Sequence, residues 1–230
     1  MKKFLIGSAL MLSLSIPAAT LASDKDDDIS RIHRSAEVFK EIMNTPDKGI
    51  PQELLESAKC VAIVPGEKKF AFIIGGNWGR GVAMCRTAGG WSAPMFIAVD
   101  GGSVGYQIGG SSTDIVMLFM NDKALQSLMS DKFKLGADAT VAAGPVGRQA
   151  AAGTDAKLKA EILTYSRAHG VFAGVSLDGS AVQADKSGDE AMYGADITRR
   201  AILDGKVKGP ESARELSEEL GAYSAHASAN

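Results

Sequence analysis

Apolar residues follow two different periods along this chain, and the change of period divides it. From Ile29 to Met43 they recur at steps of three and four, as Ile29, Ile32, Ala36, Phe39 and Met43, which predicts a helix with one apolar stripe. Arg31, Arg34 and Lys40 lie off that stripe. Pro46 and Gly49 end the pattern, and Pro51 opens a short second helix in PQELLESAK. Short apolar runs then take over: CVAIVP, KFAFIIGG, GVAMCRT, WSAPMFIAVD, SVGYQIGG and TDIVMLFMN, separated by Pro, Gly, Asn and Asp. This is the punctuation of successive, mostly antiparallel strands. Asn121 or Asp122 caps a further helix, with Leu125, Leu128 and Met129 on one face. GADATVAAG returns to alternation, with Ala137, Ala139, Val141 and Ala143 on one side. AEILTYSRAHGVFAGVSLDGSAVQAD reads as more strand, turning near His169-Gly170 and Asp178-Gly179. Helical pattern resumes after Tyr193-Gly194, in ADITRRAIL and PESARELSEEL. The expected fold is α+β: a single domain with a strongly coiled or barrel-like, mostly antiparallel sheet and flanking N- and C-terminal helices.

The glycines in GGNWGRGVAMCRTAGGWSAPMFIAVDGGSVGYQIGG test that reading. A phosphate-binding loop needs a Gly-rich turn that opens a helix, whose N-terminal N–H groups hold the anion. Here Gly75, Gly76, Gly79, Gly81, Gly89, Gly90, Gly101 and Gly102 stand within or between apolar strand runs, and neither the Walker nor the dinucleotide spacing is present. They serve turns, bulges and coiling of the sheet.

The N-terminus has its own character. Lys2 and Lys3 precede the apolar FLIGSALMLSLSI, and PAATLAS supplies small residues for cleavage after Ala22. Residues 1–22 are expected to be a secretory signal peptide, leaving 23–230 as one exported domain in the periplasm or cell envelope. The acidic SDKDDD is then a frayed start. The formal net charge of −2 gives no general attraction to nucleic acid or to an anionic membrane, so any anion site must be local. In an oxidising compartment Cys60 and Cys85 form a disulfide or remain two buried thiols; with His33, His169 and His226 scattered, they do not compose a metal site. No cofactor is expected.

Catalytic constellations are weak. Ser176 sits in GVSLDG, which is not the G-x-S-x-G elbow, and Ser166 with His169 reads as part of a hairpin. The carboxylates stand near Gly or Thr, as turn and cap residues do. Basic residues are more suggestive: Lys68, Lys69, Arg80, Arg86, Arg148, Arg167, Arg199 and Arg200 lie in or beside apolar or Gly-rich segments. Arg148 follows AAGPVG, where backbone N–H groups and a guanidinium can hold a phosphate together. The other reading is a set of ordinary surface charges.

KCVAIVP, GRGVAMCR, GGWSAPMFI, GYQIGG, GADATVAAGPVGR, YSRAHGVFAGVSLDGS and the Tyr193-Gly194 pair come in the order and approximate spacing of the SYLF domain. Over about residues 29–220 the chain resembles that lipid-binding family, shared with yeast actin-binding proteins, in its exported bacterial branch. The resemblance implies a compact α+β domain, phospholipid binding and no catalytic residues. Eukaryotic members bind phosphoinositides and often carry an SH3 or FYVE domain; here a single domain is expected, and only lipid binding in general carries over. Two placements of the lipid follow. In one, Lys68, Lys69, Arg148 and Arg167 form a headgroup site, which predicts a preference for anionic membranes. In the other, the helix from Ile29 meets the membrane through Ile32 and Phe39 while Arg31, Arg34 and Lys40 meet phosphates, unless that helix simply packs on the core. The expected function is therefore a non-catalytic phospholipid-binding module of the bacterial envelope. The alternatives are a structural or protein-interaction protein, with another protein or itself as partner, and an unrecognised hydrolase.

Overall fold

The first helix, α1 (Ala19–Met43), turns Ile32, Ala36 and Phe39 onto the core, joined by Val38 and Ile42, with Ile29 and Met43 partly buried at the ends of the stripe. The computed structural model describes residues 19–45, 49–72, 74–104, 109–146, 159–168, 171–174 and 177–224. The acidic segment is not a frayed start, because α1 runs through it. Asp28 is buried and bound to Arg31 one turn on, which gives the carboxylate a reason to be helical. A second helix, α2 (Gln52–Ser57), follows Pro51 as its cap.

The strands are β1 (Cys60–Phe72), β2 (Ile74–Thr87), β3 (Gly90–Trp91), β4 (Met95–Val104), β5 (Gly109–Phe119), β6 (Lys132–Lys134), β7 (Val141–Ala143), β8 (Ile162–Ala168), β9 (Val171–Gly174) and β10 (Ala181–Ala184). They form one curled, half-barrel sheet in the order β6-β10-β4-β2-β1-β5-β8-β7, with β3 on β2 and β9 on β8. Among the described strands every pairing is antiparallel except β7 on β8. The architecture is the α+β fold that the periodicity predicts.

The last three residues of KFAFIIGG open β2, while CVAIVP and KFAF are not separate strands. They are a single strand, β1, bent by a bulge at Pro65-Gly66 where the registers with β2 and β5 both shift. Proline cannot donate to a ladder, so a central strand tolerates it at a bulge, and Gly66 takes the left-handed φ of 62° that the bulge needs. Most of these glycines lie inside strands, and Gly89 turns the chain between β2 and β3. Gly81 pairs with Ile97, and a Cβ there would come within 2.1 Å of the Ile63 carbonyl oxygen. No other residue fits that approach, which answers the glycine question in favour of sheet geometry.

Both faces of the sheet are covered, which explains the near-continuous apolar runs. Val61, Ile63, Val82, Met84, Phe96, Val116, Leu118, Leu163 and Tyr165 face α1, α2 and the C-terminal helix α6 (Arg214–Ala222), which continues a 3₁₀ turn at Glu211–Ala213. Cys60, Ala62, Val64, Ala83, Met95, Ile97, Ile115, Met117 and Phe119 face α3 (Asp122–Met129) and α5 (Arg199–Leu203). Asn121 caps α3 by accepting the Ala124 N–H at 2.9 Å. Cys60 and Cys85 are cross-strand partners and are bonded as a disulfide.

Two local patterns differ from expectation. GADATVAAG does not alternate as a strand: residues 136–138 turn, Gly136 N–H donates to the Ala139 carbonyl, and only Val141–Ala143 is strand. A helix that the periodicity did not predict, α4 (Lys186–Tyr193), fills KSGDEAMY. Its signal is its cap, since Asp185 accepts the Gly188 N–H at 3.3 Å, while Gly188 lowers the helix propensity of so short a segment.

Candidate functional site

The C-terminal half of α1 passes over the bulge of β1 and the β5–β8 pair, and a cleft of about 350 Å³ opens between them. Arg34, Glu37, Val38 and Glu41 line it from α1, Pro65 and Gly66 from the bulge, Asp114 from β5 and Arg167 from β8. Register explains the pairing of the last two, because Asp114 and Arg167 are direct cross-strand partners. Arg167 donates to Asp114 Oδ2 from Nη2 at 2.7 Å and from Nε at 3.0 Å, and Nη1 is bonded to Glu41. Burial works against its charge, but the hydrogen bonds it donates to the two carboxylates, and their negative charge, outweigh it and raise the pKa of the guanidinium. The second Asp114 oxygen accepts the Gly66 N–H at 2.9 Å, which locks the bulge to β5. Arg34 makes only a long hydrogen bond to the Ser30 carbonyl, 3.4 Å, and among the described residues neither Arg34 nor Glu37 joins an ion pair.

One row further from α1, Trp78 stands on β2, 51% exposed, the one large hydrophobic residue so exposed among the described residues. Lys68 of β1 and Asp100 of β4 are its register partners. Trp78 shares the parity of Arg80, Val82 and Met84, so it lies on the α1 face of the sheet.

The proposed site residues divide sharply. Arg34 and Arg167 meet at the cleft. Ile32 and Phe39 do not reach a surface: both are wholly buried, with Phe39 edge-on to Tyr223, so the helix is packed on the core and presents neither to a membrane. Arg31 likewise is no phosphate ligand in this fold. It is buried between Asp28, at 2.6 Å, and Asp185, at 2.9 Å, with its guanidinium over the Phe96 ring. Lys40 is exposed and faces Glu215 and Glu219 of α6. Lys69 pairs in register with Asn77 and Ser111. The side chains of Lys68 and Lys69, and all of Arg148, His169 and Ser176, lie outside the described residues. Two other basic candidates are structural. Arg86 donates to the Ala58 and Leu55 carbonyls at the end of α2 and stacks on Trp91, and Arg199 ties Ser130 and Asp131 to α5.

Trp78 escapes a reading of the sequence because glycines dominate GGNWGRG. The available signal was its two-residue step to Arg80 and Val82, with glycines as flanking neighbours. No described helix is long and apolar enough to cross a membrane, and no group of His, Cys, Asp or Glu among the described residues is placed to hold a metal ion.

A curled α+β domain with a charged cleft under its first helix is the class that fold and site define. The chain belongs to the Ysc84 family, the SYLF-domain family to which its motifs point: the family described as Las17-binding protein actin regulator matches residues 100–223. It is similar to the SH3 domain-containing YSC84-like protein 1 of Xenopus laevis, 32% identical over 202 residues, covering 84% of this chain and 60% of that protein. The Homo sapiens protein of the same name is 32% identical over 201 residues, covering 84% of this chain and 58% of its own length. Protein YSC84 of Saccharomyces cerevisiae is 36% identical over 174 residues, 74% of this chain and 37% of that protein. The chain thus spans 60% or less of the length of these relatives, two of which are named as containing an SH3 domain.

Proposed function

We propose that this chain is a non-catalytic phospholipid-binding module of a bacterial cell envelope, exported by a signal peptide at residues 1–22 and attached peripherally to the membrane. Trp78 carries the reading. An indole left half in water, on the sheet face that also holds Arg80 and the Arg34–Arg167 cleft, has the composition of a membrane-interface patch. Family membership supports lipid as the ligand.

The second reading is a protein-interaction module, in line with the protein partner in the family's description. A separate cleft of about 380 Å³ favours it, lined by Trp91, Ala93, Val207, Pro210 and Arg214 between β3 and the C-terminal helices.

Co-sedimentation with vesicles separates the two. In a Trp91→Phe background only Trp78 reports, and its emission is expected to shift to the blue as vesicles are added. Trp78→Ser is expected to weaken vesicle binding about tenfold, in keeping with loss of a buried aromatic contact. Failure to sediment with phosphatidylcholine, phosphatidylglycerol and phosphatidylethanolamine vesicles alike would give the protein-interaction reading precedence.

A further inference from the structure

The charges of the α1 cleft do not form a simple anion site. Two guanidinium groups, Arg34 and Arg167, share it with three carboxylates, Glu37, Glu41 and Asp114. A purely anionic headgroup entering it meets more negative charge than positive. Arg167 is also already engaged by Asp114 and Glu41, so its charge is largely spent inside the protein. What the cleft offers a ligand is one open cation and one open anion on the same helix, Arg34 and Glu37, three residues apart and unpaired with each other among the described contacts. Residues at that spacing lie on one face of a helix. A ligand that satisfies both must carry an anionic and a cationic group a short distance apart.

We infer that this cleft binds a phosphoethanolamine group, with its phosphate on Arg34 and its ammonium on Glu37. The size suits it, since a cleft of about 350 Å³ holds a headgroup and not a folded peptide segment. A primary ammonium brings three N–H donors to the carboxylate, which a trimethylated choline lacks. Taking the group from a membrane rests on the lipid-binding reading above; the chemistry of the cleft does not. Trp78, one row away on the same face, then lies at the depth of the interface when the headgroup is drawn from a bilayer.

The test has a soluble and a membrane arm. Glycerophosphoethanolamine is titrated against the full chain by NMR or calorimetry, with glycerophosphocholine and glycerophosphoglycerol as comparisons. Vesicles of phosphatidylcholine, alone or with phosphatidylethanolamine or phosphatidylglycerol, are sedimented with the same protein. The expected result is binding of glycerophosphoethanolamine in preference to both comparisons. Glu37→Gln should remove about fivefold of that preference, and Arg34→Gln should weaken the phosphoethanolamine compound and the choline compound alike. Both residues are exposed, so both variants should keep the wild-type melting temperature. Preferential binding in the soluble arm without vesicle binding supports the cleft chemistry and sinks the membrane reading. Vesicle binding that ignores ethanolamine, with no response in the soluble arm, overturns this inference and leaves the membrane reading standing. A preference for the glycerol compound, or a preference unchanged by Glu37→Gln, overturns it as well.

Discussion

Two arginine–aspartate clusters clip α1 to the sheet, one toward each end, and they differ in how much water they see. At the N-terminal clip Arg31 is buried between Asp28 and Asp185, and Asp185 also accepts from Arg80 at 2.6 Å. At the C-terminal clip Arg167 reaches Asp114 at 2.7 Å and Glu41, with its side chain 22% and that of Glu41 58% exposed. The ion-pair chemistry is the same, but its consequences differ. In the buried clip, removing one partner strands the others without water, whereas in the open clip solvent takes over the lost contacts. The helix is therefore held firmly at one end and lightly at the other, and the candidate cleft is at the light end.

The largest effect that would test this contrast is loss of Arg31. Arg31→Ala leaves Asp28 and Asp185 buried without their shared cation and is expected to cost about 3–5 kcal/mol in urea unfolding. Asp28→Asn combined with Arg31→Met should cost much less than the single alanine change, because it removes charge and countercharge together. If Arg31→Ala unfolds no more readily than Arg167→Ala, burial is not what separates the two clips.

The buried clip also makes stability depend on pH, with two carboxylates acting in opposite directions. Burial opposes ionisation of Asp185, but hydrogen bonds from Ser187, Arg31 and Arg80 and the Arg80 charge outweigh it and hold its pKa down at about 2. Its contribution is present above the ordinary carboxylate range and is lost as pH falls toward 2. Asp189, the next acid along α4, is raised to about 7 by burial and by the negative charges of Asp185 and Asp28, against the Phe96 N–H bonded to it and the Arg199 charge. A raised folded pKa has the reverse sign. The folded state holds the proton that the unfolded chain releases, so stability falls as pH rises from about 4 to about 7 and then levels off. A displacement of this size is on the order of 4 kcal/mol. Asp189→Asn should flatten that decline while keeping an acceptor for Phe96 N–H. Melting temperatures measured from pH 4 to 8 would show it, and an unchanged slope in the variant would remove Asp189 as its source.

Sequence pattern revealed the sheet more readily than the clips. Apolar runs of both parities, such as Cys60–Val64 and Ile115–Phe119, announce strands buried on two faces, because every side chain in them needs a dry neighbour. The α1 stripe is legible for the same reason. What periodicity cannot show is which charged residues off a stripe are buried. Arg31 and Arg34 look alike in sequence, yet Asp185, 154 residues beyond Arg31, decides that one is internal and the other faces the cleft. The bulge at Pro65-Gly66 reads as a strand end because proline normally ends one, yet the ladders to β2 and β5 resume beyond it and the Gly66 N–H is held by Asp114 on the neighbouring strand. At the candidate site, Arg167 was visible as a basic residue in a strand, but its two carboxylate partners come from other elements and change what it can bind.

The open clip gives the next smaller effect. Arg167→Ala is expected to cost about 1–2 kcal/mol, since the Asp114 side chain keeps the Gly66 N–H and Glu41 turns to water. A double-mutant cycle with Asp114→Asn should return a coupling of about 1 kcal/mol. A coupling several times larger would mean that the cleft is closed to solvent, and the distinction between the two ends of α1 would fail.

The smallest effect belongs to Lys40, in the last turn of α1. Its ammonium lies 3.9 Å from Glu215 and 3.7 Å from Glu219, at the edge of the 4 Å contact range, with the Lys40 side chain 51% exposed. Long flexible side chains at such distances gain little over their hydration and give up rotamer freedom to meet. Here α1 and α6 are instead joined by Phe39 against Tyr223, together with the buried Leu216 and Leu220. Lys40→Ala should therefore change unfolding stability by no more than about 0.5 kcal/mol, and by less still at high salt. The comparison at low and high salt is the informative measurement, because a loss above about 1.5 kcal/mol that survives salt would show that Lys40 acts through packing of its stem. Exposure would then no longer rank the three basic contacts of α1, and the order argued from Arg31 through Arg167 to Lys40 would have to be rebuilt on apolar contact instead of on charge.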